Sequence, residues 1–431
     1  MTEVVGTASD QVRDRIRRLE GTGTRTFAEP DPLVWAETKG CRVRDAEGRW
    51  YLDLHAGFAA ATVGYCHPRV TEAICRQARM MTHCPSAAPS TVRAELYERL
   101  VSIAPPGLDR VLPAVTGSIA NETAVQLARA ATGRTNVVGF SGAYLGRTVG
   151  AVRYAGKRAY RERLGARTDG HFLPYPDPYR SPWAAGRDPG EAALALLEQL
   201  LSDPASGVDP PACVVVEPVQ GNGGAVAPPD GFLAGLRKLC DASGALLVFD
   251  EIQCGFGRTG LMWGCEHEQV VPDLMTVGKG IGGGLALAAV LGREAVMATW
   301  PPDTITSTFL TNALTAAAAC AAIDVVRDER LVERSADLGA RALAQLSTAL
   351  AGRPRVGDVR GRGLFLGIEL VRDGDEPDPE LTTRAIASLR DRGVLVGLGG
   401  RFANVIKLSP PLVITEADLD EGLTTILEVL G

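Results

Sequence analysis

Asp250 and Lys279 stand 29 positions apart, at the ends of the β-rich runs ALLVFDEI and DLMTVGKG, and Lys279 lies within the glycine-walled stretch TVGKGIGGG. If these runs are neighbouring parallel strands, both side chains reach one crevice beyond the strands' carboxyl ends, where open sheets bind ligands. A lysine held in an apolar turn can lose its proton and condense with an aldehyde, whereas a solvated lysine stays an inert ammonium. Each residue alone has a plainer use, the aspartate as a turn former and the lysine as an exposed charge. Their pairing is what points to chemistry.

The aldehyde that proteins commonly hold on a lysine is pyridoxal phosphate. Its ring nitrogen needs a carboxylate partner to stay protonated and draw electrons, and Asp250 is the candidate. Its phosphate calls for backbone N–H groups at a helix start. VTGSIANETAVQLARA (115–130) supplies Thr116-Gly117-Ser118 ahead of a helix that would carry Ala120, Ala124, Leu127, Ala128 and Ala131 on one face. Gly117 lets a phosphate approach the backbone and Ser118 can donate its hydroxyl, although serine at a helix start also serves as a simple cap. Glu217, in ACVVVEPV, falls at a strand end like Asp250 and Lys279.

A competing motif is Gly255-Phe-Gly257-Arg-Thr-Gly260, which fits GxGxxG. A dinucleotide turn needs its first glycine directly after the strand and a helix opening at the third. Here Gly255 follows Asp250 by five residues, and the stretch after Gly260 contains Gly264 and Pro272 with weak helical periodicity. A nicotinamide-dependent oxidoreductase is therefore the lesser reading.

The elements around these residues alternate strands and helices, which predicts an α/β fold with a mainly parallel sheet flanked by helices. The clearest strands are 136–140, 212–219, 245–252 and 273–280. GFLAGLRKLCDASG reads as a helix with Phe232, Leu236 and Leu239 on one face and Gly244 at its end. CRVRDAEGRWYLDL forms a hairpin-like pair around Glu47-Gly48, and GDVRGRGLFLGIELV looks antiparallel. The expected division is an N-terminal segment, 1–60, and a C-terminal segment, 330–431, sharing a smaller α+β lobe, with the large cofactor-binding domain at 61–329.

With 431 residues, 45% of them hydrophobic, the chain can bury a large core. A net charge of −6 argues against nucleic acid, which calls for a basic face. The nine cysteines form no CxxC pair and no zinc-ligand spacing, so a reducing cytoplasm and no metal are expected. MTEVVGTASDQVRDRIRRLE has charges where a secretory leader needs an apolar core, and no apolar run approaches a membrane span. The longest candidate, 313–323, reads as a short alanine-rich core helix.

The stretch LLVFDEIQCGFGRTGLMWGCEHEQVVPDLMTVGKGIGGGLALAAVLG resembles the signature of the class III (ω-) aminotransferases, pyridoxal-phosphate enzymes of fold type I. DAEGRWYLDLHAG, GYCHPRVTEAICRQ, TGSIANETAVQLAR, GFSGAYLGRTVGA, EPVQGNGGAVAPPDGFL, TSTFLTNALTAAAA, GDVRGRGLFLGIEL and IKLSPPLVIT resemble further family blocks in family order, over nearly the whole chain. The resemblance implies that Lys279 holds the cofactor and shuttles the proton, Asp250 pairs with the ring nitrogen, Gln253 lies near the ring hydroxyl and Tyr144 stacks on the ring. Gly117 and Ser118 would bind the phosphate, completed by Thr308 from a second subunit, which implies a homodimer with shared sites. Glu217 joins the cofactor set, Glu122 orients neighbours, and Phe58, Asn222 and Lys407 face the substrate.

The chain departs from the family pattern in three places. The usual histidine after the stacking aromatic is Leu145, the usual glutamate of EPVQGxGG is Asn222, and the usual carboxylate-binding arginine is Lys407. In many members that glutamate and arginine form a gate, the arginine clamping a carboxylate with its fork. Lysine offers a point charge without the fork. The pair either drifted with little effect or marks an acceptor without a carboxylate beside the reacting carbon, such as an amino sugar, an aminoglycoside-like aldehyde or a diamine product. That second reading fits secondary metabolism such as antibiotic biosynthesis, with glutamate as donor. The same fold also serves aminomutases, decarboxylases, epimerases and dehydratases.

Overall fold

The computed structural model describes residues 7–29 and 31–431; residues 1–6, which open the segment read above as no secretory leader, lie outside them. The left-handed backbone at Gly48 turns the chain between β2 (Arg42–Asp45) and β3 (Trp50–Asp53), an antiparallel pair joined on its other side by β1 (Trp35–Lys39). Asp45 stabilises this turn by accepting from the amides of Glu47 and Arg49.

The central sheet has seven strands. β4 (Arg110–Ala114), β5 (Asn136–Phe140), β6 (Gly170–Leu173), β7 (Pro211–Val216), β8 (Leu246–Asp250), β9 (Leu274–Val277) and β10 (Ala288–Gly292) follow in sequence. Their spatial order is β4-β10-β9-β8-β7-β5-β6, and only β10 runs antiparallel to its neighbours. Every residue of β7, β9 and β10 is buried, so apart from Thr276 in β9 these strands read as continuous apolar runs with no alternation. Successive side chains still serve opposite faces. Val214, Val216 and Phe249 pack with Phe232, Leu236 and Cys240 of the helix Phe232–Ser243. Cys213, Val215 and Val248 pack with Ala120, Ala124, Leu127 and Ala128 of the helix Gly117–Thr132. Gly244 caps the first of these helices in the left-handed conformation, as its position in the sequence predicts.

Two expected elements need correction. The alanine-rich helix runs Ala313–Asp328, past the expected end at 323, because Asp324 turns outward to pair with Arg99 at 3.1 Å while Val325 and Val326 stay buried. Ala131 is only half-buried and lies at the margin of its helix face. After Gly260 no α-helix opens; the chain makes turns and then a 3-10 helix, Gly264–Glu268. The glycines serve packing instead: a Cβ on Gly255 would lie 2.7 Å from Glu251 O and 2.6 Å from the Trp263 ring.

The C-terminal part forms an antiparallel sheet. β11 (Val356–Arg362) pairs with β12 (Phe365–Arg372), which also takes β13 (Glu376–Pro377). β14 (Val394–Leu395) pairs in parallel with β3, so the two ends of the chain share one sheet. β15 (Gly397–Gly399) and β16 (Val405–Leu408) complete the antiparallel sheet. Buried Arg258, in the GxGxxG stretch, donates to the carbonyls of Leu364 and Pro410 and so ties the central loops to this segment. Among the described residues no helix is long and apolar enough to cross a membrane, and no His/Cys/Asp/Glu group could hold a metal.

Candidate active site

Strands β7, β8 and β9 lie side by side and parallel, so Glu217, Asp250 and Lys279 all leave the sheet at its carboxyl edge. Asp250 is buried and closely held. Its Oδ2 accepts from Asn121 Nδ2 at 2.8 Å, and its Oδ1 accepts from the Ile252 amide at 3.0 Å and from Thr276 Oγ1 at 3.5 Å. Asn121 is fixed in turn, accepting from Thr276 Oγ1 at 2.7 Å and donating to Leu145 O at 2.9 Å. Burial pushes the Asp250 carboxyl above the usual carboxylate range, while Ile252 N–H, Asn121 and Lys279 act against it.

Lys279 is half-buried with φ +47°, a left-handed conformation that strains a residue carrying a Cβ. Burial lowers its ammonium below the usual lysine value, against the pull of Asp250 and Glu217. Glu217 is buried too: one oxygen accepts from the Gly221 amide at 3.4 Å and Oε2 has no partner. Burial first, then the Asp250 charge, pushes its carboxyl up to about 8. The folded chain therefore holds this proton more tightly than the unfolded chain. The cofactor-free protein should lose stability as pH rises from the ordinary glutamate value, 4.5, through about 8. Glu217→Gln should flatten that slope in denaturant titrations across the window.

Around these groups the other candidates fall into three places. Thr116 caps the helix Gly117–Thr132 by accepting from Ile119 N, which leaves the Ser118 hydroxyl outside the cap; Ser118 Oγ accepts from the Arg147 amide at 3.2 Å. At Gly117 a Cβ would lie 2.8 Å from Ile252 Cδ1, so the close approach of this turn to the loop after Asp250 requires glycine. Gln253 presses against the next turn, since a Cβ on Gly221 would lie 2.2 Å from its Oε1.

The second place is a polar wall. Tyr144 and Tyr160 meet edge to face with centroids 5.8 Å apart, the Arg147 guanidinium lies 4.3 Å from the Tyr160 ring, and Asn222 Nδ2 donates to Tyr160 Oη at 3.3 Å. Lys407 on β16 is 4% exposed and donates to Gly221 O at 3.4 Å. Phe58, exposed and also left-handed, packs edge-on to His55 at 4.8 Å under the Arg25 guanidinium.

The third place is outside the crevice. Thr308 is exposed, next to the half-exposed Phe309. Thr304 and Ile305 of the same segment line a cavity of about 710 Å³ with Ile119 and Glu122 on the outer face of the helix Gly117–Thr132. Glu122 accepts from Thr148 Oγ1 at 2.9 Å.

Sequence reasoning passed over Asn121, Thr276, Tyr160 and Lys157. Asn121 carried a signal: it is a polar residue on the stripe 117, 121, 124, 128 that faces the sheet. Asn121→Ala would strand the Leu145 carbonyl and leave the Thr276 hydroxyl only its 3.5 Å contact with Asp250, and should cost about 1–3 kcal/mol in denaturant unfolding. Thr276→Val in that background should recover part of the loss.

A family model for class III aminotransferases matches residues 26–430. The diaminobutyrate–2-oxoglutarate aminotransferase of Rhizobium meliloti is 34% identical over 97% of this chain and 92% of its own length. The alanine/serine racemase of Pyrococcus horikoshii is also 34% identical, over 94% of this chain and 86% of its own. The crystallised ornithine aminotransferase of Toxoplasma gondii, described with partial occupancy of PLP at its active site, superposes with a TM-score of 0.85 at 31% identity, covering 98% of this chain and 94% of that one.

Proposed function

The chain belongs to the class III aminotransferase family, pyridoxal-phosphate-dependent enzymes of fold type I, and from that premise we propose that it moves an amino group from glutamate to a carbonyl acceptor with no carboxylate beside the reacting carbon. An amino-sugar or aminoglycoside aldehyde, or an aldehyde related to a diamine, is such an acceptor, and antibiotic biosynthesis is a setting that uses one. The observation that carries this reading is the substrate wall: Asn222 is bonded to Tyr160, and no carboxylate lies within ion-pair distance of Lys407 among the described residues.

The crevice fits the cofactor. A buried carboxylate faces a lysine whose proton burial has loosened, Gly117 leaves open a helix start, and the Ser118 hydroxyl is outside the cap. When bound, pyridoxal phosphate supplies an electron sink for the carbon that bears the amine. In this reading Asp250, steadied by Asn121 and Thr276, keeps negative charge beside the ring nitrogen. Lys279 Nζ would hold the aldehyde and would take and return the proton of the substrate carbon. Tyr144 would cover the ring face, Gln253 would serve the ring hydroxyl, and Gly117 with Ser118 would hold the phosphate. Glu217 steadies the ring side of the crevice. Phe58, Asn222 and Lys407 shape the substrate side.

Thr308 would complete the phosphate site of a second copy, which makes the enzyme a homodimer with shared sites. Its exposure, together with that of Phe309, supports this. The nine free cysteines support a cytoplasmic setting.

Steady-state kinetics over an acceptor panel, with products identified by mass spectrometry, test the reading. Sugar and ω-aldehydes should exceed 2-oxo acids other than 2-oxoglutarate, the donor's own product, in kcat/KM by at least about tenfold, the worth of one good binding contact; the reverse preference refutes the assignment. The racemase relative gives a second reading, inversion of an amino acid. It predicts loss of optical activity without release of an oxo acid.

A further inference from the structure

Lys407 is 4% exposed, and its one hydrogen bond among the described residues, to Gly221 O at 3.4 Å, uses one of three donors. The groups that face it come from five segments. Among the described residues, Lys279, Lys157, Arg25 and His55 are the basic groups that act on it most or lie beside it, and Glu217 is the acid that acts on it most. His55 is driven well below its ordinary value by burial and then by Lys407 and Lys279, so it adds no positive charge at neutral pH. Glu217 is held up to about 8, so it supplies little negative charge there. Asn222, which borders the same wall, is neutral and occupied with Tyr160. Among the described residues no carboxylate lies within ion-pair distance to receive the lysine's charge when a substrate without a carboxylate is bound. Carrying a buried, unpaired ammonium is costly, and a lysine escapes the cost by giving up its proton.

Resting on the donor and acceptor classes proposed above, we infer that Lys407 is a proton switch: it binds the donor's carboxylate as an ammonium and releases its proton to solvent when that carboxylate leaves. One pocket then takes an anionic donor and an uncharged or cationic acceptor in turn, with no side chain swinging between two partners. Desolvation is the largest cause: in the cofactor-free chain, where the Lys279 charge adds to it, the Lys407 ammonium falls to about 7, and burial against a single 3.4 Å hydrogen bond keeps acting on it once Lys279 holds the cofactor.

The test is calorimetric titration of the holoenzyme with glutarate, which has the donor's two carboxylates and no amine to react. At each pH it is run in two buffers of different ionisation enthalpy, so that the heat difference counts protons. A group held charged in the complex but titrating near neutrality without ligand takes up close to one proton well above its midpoint and little below it, so uptake should be large at pH 8 and small at pH 6. Affinity should fall about tenfold between pH 6 and pH 8. In Lys407→Arg, where the charge is permanent, uptake should vanish and the affinity become flat. In Lys407→Met, glutarate binding should be lost. Flat affinity in the unaltered enzyme, no glutarate binding, or undiminished uptake in Lys407→Arg each overturns the switch. The unaltered enzyme needs no variant to fold, so its pH series decides the matter alone. Conversion of glutamate to 2-oxoglutarate, followed in the same preparation, keeps the two ideas separate. Conversion with flat glutarate binding refutes the switch only, whereas proton uptake without conversion keeps the switch and refutes the donor.

Discussion

Lys279→Ala should abolish amino transfer, lowering kcat on the order of 10⁴-fold or more, the scale lost when a covalent catalytic group is removed. The argument begins at the backbone. Lys279 leaves β9 in a strained left-handed turn, walled by Gly278 and Gly280, where a Cβ on Gly280 would lie 2.3 Å from Thr62 Oγ1. That turn points the side chain along the strand ends toward Asp250 and Glu217, and burial there lowers its ammonium toward the free amine that attacks an aldehyde. Borohydride treatment followed by peptide mapping should leave a pyridoxyl tag on residue 279 of the unaltered protein and none in the variant. Fully active protein without that tag would remove the basis of the proposed mechanism.

Asp250→Asn should lower kcat by about 10²–10³-fold, the usual loss when one preorganised electrostatic partner is removed from a closed site. Asparagine has nearly the same shape but one acceptor oxygen in place of two, so the loss reports the charge together with one displaced hydrogen bond. A stability measurement gives an independent readout. Burial raises the Asp250 carboxyl, so in the cofactor-free protein this charge is a burden that grows as pH rises from the ordinary aspartate value, 3.8. The variant without cofactor loses that burden and one hydrogen bond together, so it should melt close to the temperature of the unaltered protein at neutral pH and gain on it as pH rises. The stabilisation gained on adding pyridoxal phosphate should shrink, because the ring nitrogen loses its anionic partner. A variant that melts much lower without cofactor would make Asp250 a structural residue.

Much of this arrangement can be read from the amino-acid order because it is local. The apolar runs that end at Asp250 and Lys279 form buried strands, Gly244 stops a helix, Gly48 turns a hairpin, and the glycines of 255–260 are too far from their strand to open a dinucleotide helix. Each follows from the backbone freedom of glycine or the burial of a continuous apolar run, and both act over a few residues. Other features join distant parts of the chain. Asn121 meets Asp250 across 129 positions and Lys407 meets Gly221 across 186. A hydrogen bond between such partners exists only after the sheet has stacked them. The protonation of Glu217, Lys279 and Lys407 belongs to the same class, because desolvation depends on every atom packed around a charge and not on its neighbours in sequence. By itself, then, the sequence determined which residue types stand at the strand ends and so the chemistry available to them. Packing alone decided which of them lie close enough, and dry enough, to change one another's charge.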